Sequence, residues 1–168
     1  MAELTQEDLE ALAAELGATL VGRGWRLTAA ESCTGGWAAQ AATAVAGSSV
    51  WFDRGFVTYS NEAKMDMLGV SADTLVRFGA VSEETALEMA EGALRHSGAQ
   101  AAFAISGIAG PGGGSDSKPV GTVCFAWALA GQPARATTQH FAGDRREVRI
   151  QAVAYVFRQI QAALAAMP

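Results

Sequence analysis

Hydrophobic side chains recur along this chain at two spacings, three to four residues apart in some segments and two apart in others. The first segment has leucines at helical spacing behind Thr5 and Asp8, which together have the form of a capping box. Later helical segments begin near serines or paired glycines and mostly end near a glycine, and the last one begins with a second capping box from Asp144 and Glu147. The pattern predicts six helices, over 5–24, 37–47, 61–69, 71–79, 82–96 and from 144 towards 167.

Between these helices lie segments rich in β-branched, aromatic or small apolar residues, which are typical of strands. They cover 25–30, 48–59, 100–106, 120–129 and 134–141, with Gly55 as a bulge in the second. The last two strands are joined so tightly through 131–133 that they must be antiparallel. We therefore predict a single α/β domain over residues 1–168, a three-layer α/β/α sandwich with a mixed five-stranded sheet.

Composition and charge exclude several classes of function. The 168 residues carry a net charge of -5, and the basic side chains are scattered, so nucleic acid is not an expected partner. No apolar segment is long enough to span a membrane, which predicts a cytoplasmic protein. The two cysteines and two histidines stand at no metal-ligand spacing, so we do not expect a metal site.

One short segment between the first strand and the second helix concentrates reactive groups. It reads T-A-A-E-S-C-T-G-G and supplies the Glu31 carboxylate, the Ser32 hydroxyl, the Cys33 thiol and the Thr34 hydroxyl before Gly35 and Gly36. The first amides of a helix have no partner within the helix and favour an anion or a developing oxyanion. If the protein is an enzyme, its chemistry is expected at this turn.

The nucleophile and its base remain open on the residues alone. Ser32 attacks only if a base removes its proton, and Lys64, Glu31 and Tyr59 are the candidates in the absence of a suitable histidine. Burial would lower the pKa of a lysine enough for that role. Cys33 is the competing nucleophile, because a helix N-terminus would lower its pKa. The alternatives are a helix-capping serine, a solvated lysine and a buried cysteine.

A second informative segment is the glycine-rich loop over residues 107–121. It matches neither the Walker A pattern nor G-x-G-x-x-G, but exposed backbone amides in such a loop can hold an anion. Ser115 to Lys118 has the form S-x-x-K, although no helix surrounds it. Because both this loop and the Ser32 turn follow strands, the two could border one pocket.

Several of these segments, in this order, resemble one known family. The segments are T-A-A-E-S-C-T-G-G-W, A-G-S-S-V-W-F-D-R-G-F-V-T-Y-S-N-E-A-K, G-A-V-S, S-G-I-A-G-P-G-G-G-S, K-P-V-G-T-V and F-A-G-D-R. They are similar to the CinA C-terminal domain family. The resemblance implies hydrolysis of the carboxamide of nicotinamide mononucleotide, giving nicotinate mononucleotide and ammonia, with no cofactor.

The same resemblance leads to a hypothesis for the site. Ser32 attacks the amide carbonyl, neutral Lys64 accepts its proton, and Tyr59 helps to pass that proton to ammonia. Amides of Thr34, Gly35 and Gly36 hold the oxyanion. The substrate-binding residues predicted on this basis are Glu31, Thr34, Gly35, Gly36, Ser48, Ser106, Gly107, Gly110, Pro111, Gly112, Gly113 and Arg145.

Two other functions remain open at this stage. The pocket could bind a pyridine nucleotide without turning it over, or the enzyme could cleave another small amide that has no phosphate. We also expect a homodimer, since Trp51 and Phe52 are predicted to be exposed apolar side chains.

Overall fold

The structure is a computed structural model that describes residues 3–168 and contains six α-helices and five strands. The helices are α1 Gln6–Arg23, α2 Trp37–Thr43, α3 Asn61–Leu68, α4 Ala72–Phe78, α5 Glu83–Arg95 and α6 Arg145–Ala165. The strands are β1 Leu27–Glu31, β2 Phe52–Val57, β3 Ala101–Gly107, β4 Thr122–Leu129 and β5 Arg135–His140. A short 3-10 helix, Ser48–Val50, precedes β2.

The five strands form one sheet in the order β2-β1-β3-β4-β5. Strand β1 is parallel to both β2 and β3, whereas β4 is antiparallel to β3 and β5. The β4–β5 connection, residues 130–134, is too short for a helical crossover, and the 108–121 connection between β3 and β4 contains no helix, so both pairs are antiparallel and the sheet is mixed. Helices α1, α2 and α6 pack on one face and α3, α4 and α5 on the other, which confirms the predicted three-layer sandwich.

Alternation along β1 decides which side of the sheet each reactive residue faces. Leu27 and Ala29 pack in the core beneath α1 and α6, whereas Ala30 packs beneath α5. Successive side chains of a strand point to opposite faces. Glu31 and Cys33 therefore face the α2 and α6 side, and Ser32 faces the side of α3.

Local sequence signals set the ends of most helices. The predicted capping boxes are present at the start of α1, from Thr5 and Asp8, and at the start of α6, from Asp144 and Glu147. Ser82 accepts a hydrogen bond from the Thr85 amide and caps α5. Helix α2 is shorter than predicted, ending at Thr43, and a turn leads from it to Gly47.

The segment around the second strand differs from the prediction in three ways. Residues 48–50 are helical, so the strand begins only at Phe52. The irregularity in its pairing with β1 falls at Asp53, and Gly55 instead lies close to Ala39 of α2. Trp51, predicted to be exposed, is only 4% exposed because its indole packs against Gly17 of α1, where a side chain would collide with it.

Candidate active site

The turn after β1 carries Ser32 to the carboxyl edge of the sheet. The Ser32 amide donates to the Ile105 carbonyl of β3 at 2.9 Å, which extends the parallel pairing by one residue. The Gly35 amide then donates to the Ser32 carbonyl at 3.0 Å and closes the turn. Gly35 and Gly36 have φ of 59° and 101°, conformations that side-chain-bearing residues rarely adopt, so both glycines are needed for this turn.

Lys64 of α3 reaches Ser32 from the facing layer. Its side chain is 1% exposed, and its Nζ lies 3.0 Å from Ser32 Oγ. The same Nζ donates to the Thr58 carbonyl at 2.8 Å and to the Tyr59 carbonyl at 3.4 Å. Ser60 caps α3 by accepting from the Ala63 amide, which fixes the helix turn that carries the lysine.

These contacts suit a lysine that exchanges a proton with Ser32. Burial lowers the pKa of Lys64 from its ordinary value of 10.5, because the charged ammonium is poorly solvated there. In the neutral amine two N–H groups can donate to the two carbonyls, which accept only. The remaining lone pair is then directed at Ser32 Oγ, so the hydroxyl can donate to it.

The sequence suggested Cys33 as the competing nucleophile, but the structure does not place its thiol beside the base. Its thiol is buried on the opposite side of the sheet from Lys64 Nζ. Burial raises the pKa of Cys33 to about 11, and the nearby Arg149 guanidinium offsets only part of that effect. The predicted lowering of this pKa is wrong, and the thiol is a poor nucleophile in this environment.

Glu31 occupies the helix N-terminus that was expected to bind a substrate anion. One carboxylate oxygen accepts from the Thr34 hydroxyl at 2.7 Å and the Ala38 amide at 2.8 Å, and the other accepts from the Ala39 amide at 3.0 Å. The side chain is buried with these partners. Glu31 and the Thr34 side chain therefore stabilise the start of α2 and offer no surface to a substrate.

Backbone amides that follow Ser32 remain available for an oxyanion. Within residues 3–168, the amides of Cys33, Thr34 and Gly36 donate no hydrogen bond, whereas Gly35 is engaged by the Ser32 carbonyl. The prediction for Gly35 is therefore corrected, and the Cys33 amide is an addition that sequence reasoning missed. Successive free amides in a turn form an anion-binding concavity.

Three hydroxyls lie side by side across the sheet on the face of Lys64. Pairing of β1 with β2 and β3 places Thr58 and Ser106 on either side of Ser32. Ser106 donates to the Ala80 carbonyl at 2.8 Å. Thr58 was not predicted. Its Oγ1 is fully buried and has no hydrogen-bond partner among the described residues, so a polar group is buried unsatisfied beside the serine.

Tyr59 and Arg145 connect the site to the glycine-rich loop. The Tyr59 ring is 62% exposed, and its hydroxyl accepts from Arg145 Nη2 at 3.1 Å. Arg145 Nη1 donates to the Gly110 carbonyl at 2.8 Å, which ties the 110–113 loop to the start of α6. The Tyr59 hydroxyl is thus hydrogen-bonded to Arg145, whereas the hydrogen bond between Tyr59 and Lys64 comes from the main-chain carbonyl. These hydrogen bonds give no support to the predicted proton relay.

Other predicted substrate contacts separate into two groups. Pro111 lines an open cavity of about 540 Å³ together with Arg145, and Gly112 and Gly113 continue the same loop. Gly107 ends β3 and packs closely against Val123 of β4. Ser48 lies before β2, at the opposite end of the parallel strands from Ser32, so within one chain the structure does not bring it to the serine.

The S-x-x-K segment is a surface turn. The Ser115 hydroxyl accepts from the Lys118 amide at 3.1 Å, while Lys118 Nζ donates to the Phe78 carbonyl at 2.6 Å. The serine and lysine side chains of this segment therefore do not form a nucleophile and base pair.

Arg149 is a further site residue that sequence reasoning missed. Its Nε donates to the Cys33 carbonyl at 3.0 Å and its Nη2 to the Thr34 carbonyl at 3.1 Å, which holds the turn after Ser32. Its guanidinium also lies over the Trp37 ring. The only sequence signal was its spacing of four residues from Arg145, which puts both on one face of a helix.

The fold and this site define a member of a known family, and comparison with known proteins shows which one. The model of the CinA C-terminal domain matches residues 9–164, so the chain belongs to the CinA C-terminal domain family. It is 54% identical over 154 residues to nicotinamide-nucleotide amidohydrolase PncC of Enterobacter agglomerans, covering 90% of this chain and 93% of that protein. To the protein of the same name in Escherichia coli strain K12 it is 53% identical over 157 residues, covering 94% and 95%.

A solved structure agrees with the sequence comparison. Competence/damage inducible protein CihA from Agrobacterium tumefaciens is similar with a TM-score of 0.91 and 44% identity, covering 98% of this chain and 99% of that chain. Over residues 3–168, no helix combines the length and apolar character needed to cross a lipid bilayer.

Proposed function

We propose that this protein is a hydrolase that converts nicotinamide mononucleotide and water into nicotinate mononucleotide and ammonia, in pyridine-nucleotide salvage. The observation that carries the proposal is the buried contact of 3.0 Å between Lys64 Nζ and Ser32 Oγ. The substrate comes from the relatives, which share more than half of their residues with this chain and bear the name nicotinamide-nucleotide amidohydrolase.

In the first step neutral Lys64 removes the proton of Ser32 as Oγ attacks the carboxamide carbon. The carbonyls of Thr58 and Tyr59 hold the amine in the orientation that this proton transfer requires. Collapse of the tetrahedral intermediate breaks the C–N bond, and the proton held by Lys64 passes to the leaving nitrogen as ammonia. The product of this step is an acyl ester on Ser32.

The negative charge of the intermediate develops beside the turn that follows Ser32. The free amides of Cys33, Thr34 and Gly36 are the donors that we assign to it. Fixed donors of this kind stabilise an oxyanion without reorganising during the reaction, and each is worth about 3 kcal/mol in transition-state stabilisation. The ties from Arg149 to the Cys33 and Thr34 carbonyls keep this turn in place.

Water completes the cycle. Lys64, neutral again after ammonia leaves, takes a proton from water as the oxygen attacks the acyl carbon. The ester bond breaks, the proton returns to Ser32 Oγ, and nicotinate mononucleotide is released. The loop that contains Gly110, Pro111, Gly112 and Gly113 borders the substrate, since Arg145 joins it to Tyr59.

The direct test is release of ammonia from nicotinamide mononucleotide by the purified protein. We expect turnover by the native chain and by the control Ser97→Ala, whose hydroxyl donates to the Leu94 carbonyl and accepts from the Ala99 amide just after α5, with no contact to Ser32 or Lys64. Ser32→Ala should release no ammonia above background. Tight binding of the nucleotide with no ammonia from the native chain would instead indicate a binding module, and faster release from an amide without phosphate would indicate another amidase.

We also propose that the protein works as a homodimer, although Trp51 no longer supports this and Phe52 is half-buried. Support now comes from Val57 and Tyr59, which are exposed at the end of the edge strand β2. Sedimentation equilibrium should give twice the chain mass. A monomer at all concentrations would contradict the proposal.

A cytoplasmic location fits the same proposal. Cys33 and Cys124 are both free thiols in the structure, as expected in a reducing compartment. When the producing cells are fractionated and the protein is followed with an antibody, it should be found in the cytoplasmic fraction. Finding the protein secreted would refute this location.

A further inference from the structure

Three arginines surround a tryptophan where α6 begins. Arg145, Arg146 and Arg149, together with Trp37, line an open cavity of about 500 Å³, and we refer to these four residues as the arginine cluster. The guanidinium carbons of Arg146 and Arg149 lie 5.7 Å and 5.5 Å from the centre of the Trp37 ring. The cavity is thus lined by cations and one aromatic ring, with no acidic side chain.

The positive charge of the cluster is not neutralised by carboxylates. Among the described residues, none of its three arginines lies within 4.0 Å of an acidic oxygen, whereas Arg26, Arg54 and Arg77 all do. The nearest acidic residues in sequence, Asp144 and Glu147, each accept from the other's backbone amide in the capping box. A local excess of positive charge in a protein of net charge -5 attracts anions to this place on the surface.

The cluster is directly connected to the serine site. Arg149 donates to the carbonyls of Cys33 and Thr34, the two residues after Ser32. Arg145 donates to the hydroxyl of Tyr59, whose main-chain carbonyl contacts the Lys64 amine. An anion held in the cavity would therefore lie across the carboxyl edge of the sheet from the reacting serine, with Tyr59 between Arg145 and Lys64.

Donors remain free to bind that anion. A guanidinium has five N–H groups, and Arg145 uses only two of its nitrogens for the contacts with Tyr59 and Gly110. The Arg146 side chain makes no hydrogen bond within residues 3–168, and its guanidinium lies over the Trp37 ring. Planar guanidiniums with paired donors match the geometry of a phosphate.

We propose that the arginine cluster binds the phosphate monoester of the mononucleotide while its carboxamide lies at Ser32. This inference rests on the proposed function and refines it, because it makes phosphate recognition the task of Arg146 and Arg145, with the glycine-rich loop left to border the sugar. It also predicts that the enzyme distinguishes a mononucleotide from the corresponding nucleoside, since only the former carries the dianion that the cluster would bind.

Kinetics with two substrates test the assignment. We expect Arg146→Met to lower kcat/KM for nicotinamide mononucleotide about tenfold to a hundredfold, mainly through KM, since one charge-assisted contact is lost. Its kcat/KM for nicotinamide riboside should be unchanged. Arg158→Met is the matched control, because Arg158 lies on the same helix but faces the α1 side near Asp8 and Glu15. An equal loss for both substrates would overturn the phosphate assignment.

Binding without turnover separates this inference from the proposed function. In calorimetric titrations with nicotinate mononucleotide and with inorganic phosphate, Arg146→Met should raise both dissociation constants about tenfold or more, and Arg158→Met should raise neither. Unchanged dissociation constants in Arg146→Met would refute the cluster as the phosphate site. If phosphate binding depends on Arg146 but the native chain releases no ammonia, the site stands and the amidase function fails.

Discussion

The Lys64 amine and the Ser32 hydroxyl contact each other at 3.0 Å inside the protein, although 32 positions separate them in the chain. Helix α3 and strand β1 bring them together from two different layers of the sandwich. A charged ammonium is costly to bury, and a pair of carbonyls orients it towards one hydroxyl. This arrangement costs stability and yields a base whose pKa lies below its ordinary value of 10.5.

The first prediction distinguishes the two adjacent nucleophiles. Ser32→Ala should lower kcat by about a thousandfold or more, as expected when a nucleophile is removed. Cys33→Ala should keep kcat within about tenfold, since the thiol is buried away from Lys64 and its pKa is about 11. Initial rates of ammonia release measure both. An inactive Cys33→Ala that remains folded by circular dichroism, beside an active Ser32→Ala, would reverse the assignment.

The second prediction concerns the pH dependence of the rate. Because burial lowers the pKa of Lys64 below 10.5, the neutral fraction of the amine grows as pH rises through that lowered value. The kcat should therefore increase with pH, with a midpoint below 10.5. Lys64→Arg retains the charge but cannot act as a neutral acceptor, so its rate should be very low at every pH. An active Lys64→Arg would remove the lysine from the mechanism.

A third prediction follows from the same pKa for stability. Between the lowered pKa and 10.5 the unfolded chain binds a proton at Lys64 that the folded chain does not, so the free energy of unfolding rises with pH through this group. The slope from one such group is at most about 1.4 kcal/mol per pH unit. The free energy of unfolding of the native chain minus that of Lys64→Met should thus rise with pH in this window. Urea titrations at several pH values would show it, and a difference that fell with pH would contradict the lowered pKa.

The fourth prediction addresses the buried carboxylate. Glu31→Ala leaves two amides of α2 and the Thr34 hydroxyl without their acceptor, so the free energy of unfolding should fall by about 3 kcal/mol or more. Glu31→Gln should cost less. The exposed Glu91→Gln is the control and should change it by less than about 0.5 kcal/mol. A Glu31→Ala protein as stable as the native chain would mean that these contacts contribute little.

The fifth prediction separates a positioning role of Tyr59 from a proton relay. Tyr59→Phe loses the hydrogen bond with Arg145 and should raise KM several-fold with kcat nearly unchanged. Tyr155→Phe, which loses a comparable bond to Gln139, serves as the control. A drop in kcat of about a hundredfold in Tyr59→Phe would restore the relay.

The fold could be predicted from sequence because its signals are local. The capping boxes at Thr5 and Asp144 and the hydrophobic spacing behind them are properties of neighbouring residues, and the structure confirms them. The tight connection before β5 likewise fixed the antiparallel pairing. The exposure of Trp51 could not be predicted, since it depends on Gly17, a glycine of another element whose lack of a side chain makes room for the indole.

The site was predictable only in part for a similar reason. The sequence indicates that Ser32 lies at a strand end, but it does not indicate which face of the sheet each neighbouring residue occupies. In the structure Ser32 lies on one face, and Glu31 and Cys33 lie on the other. Family motifs pointed to Lys64 and Arg145, whereas Arg149 and Thr58 become visible only when distant elements are packed together.

The hydrogen bonds from Arg149 to the turn after Ser32 also imply an order of folding during synthesis. The two contacts join residues 116 and 115 positions apart, from the beginning of the chain and from its last helix. A growing chain that already contains Ser32 and Lys64 therefore lacks the guanidinium that fixes the turn until α6 has left the ribosome and docked. The turn that follows the nucleophile is therefore completed last, and fragments that end before α6 should not gain an active serine.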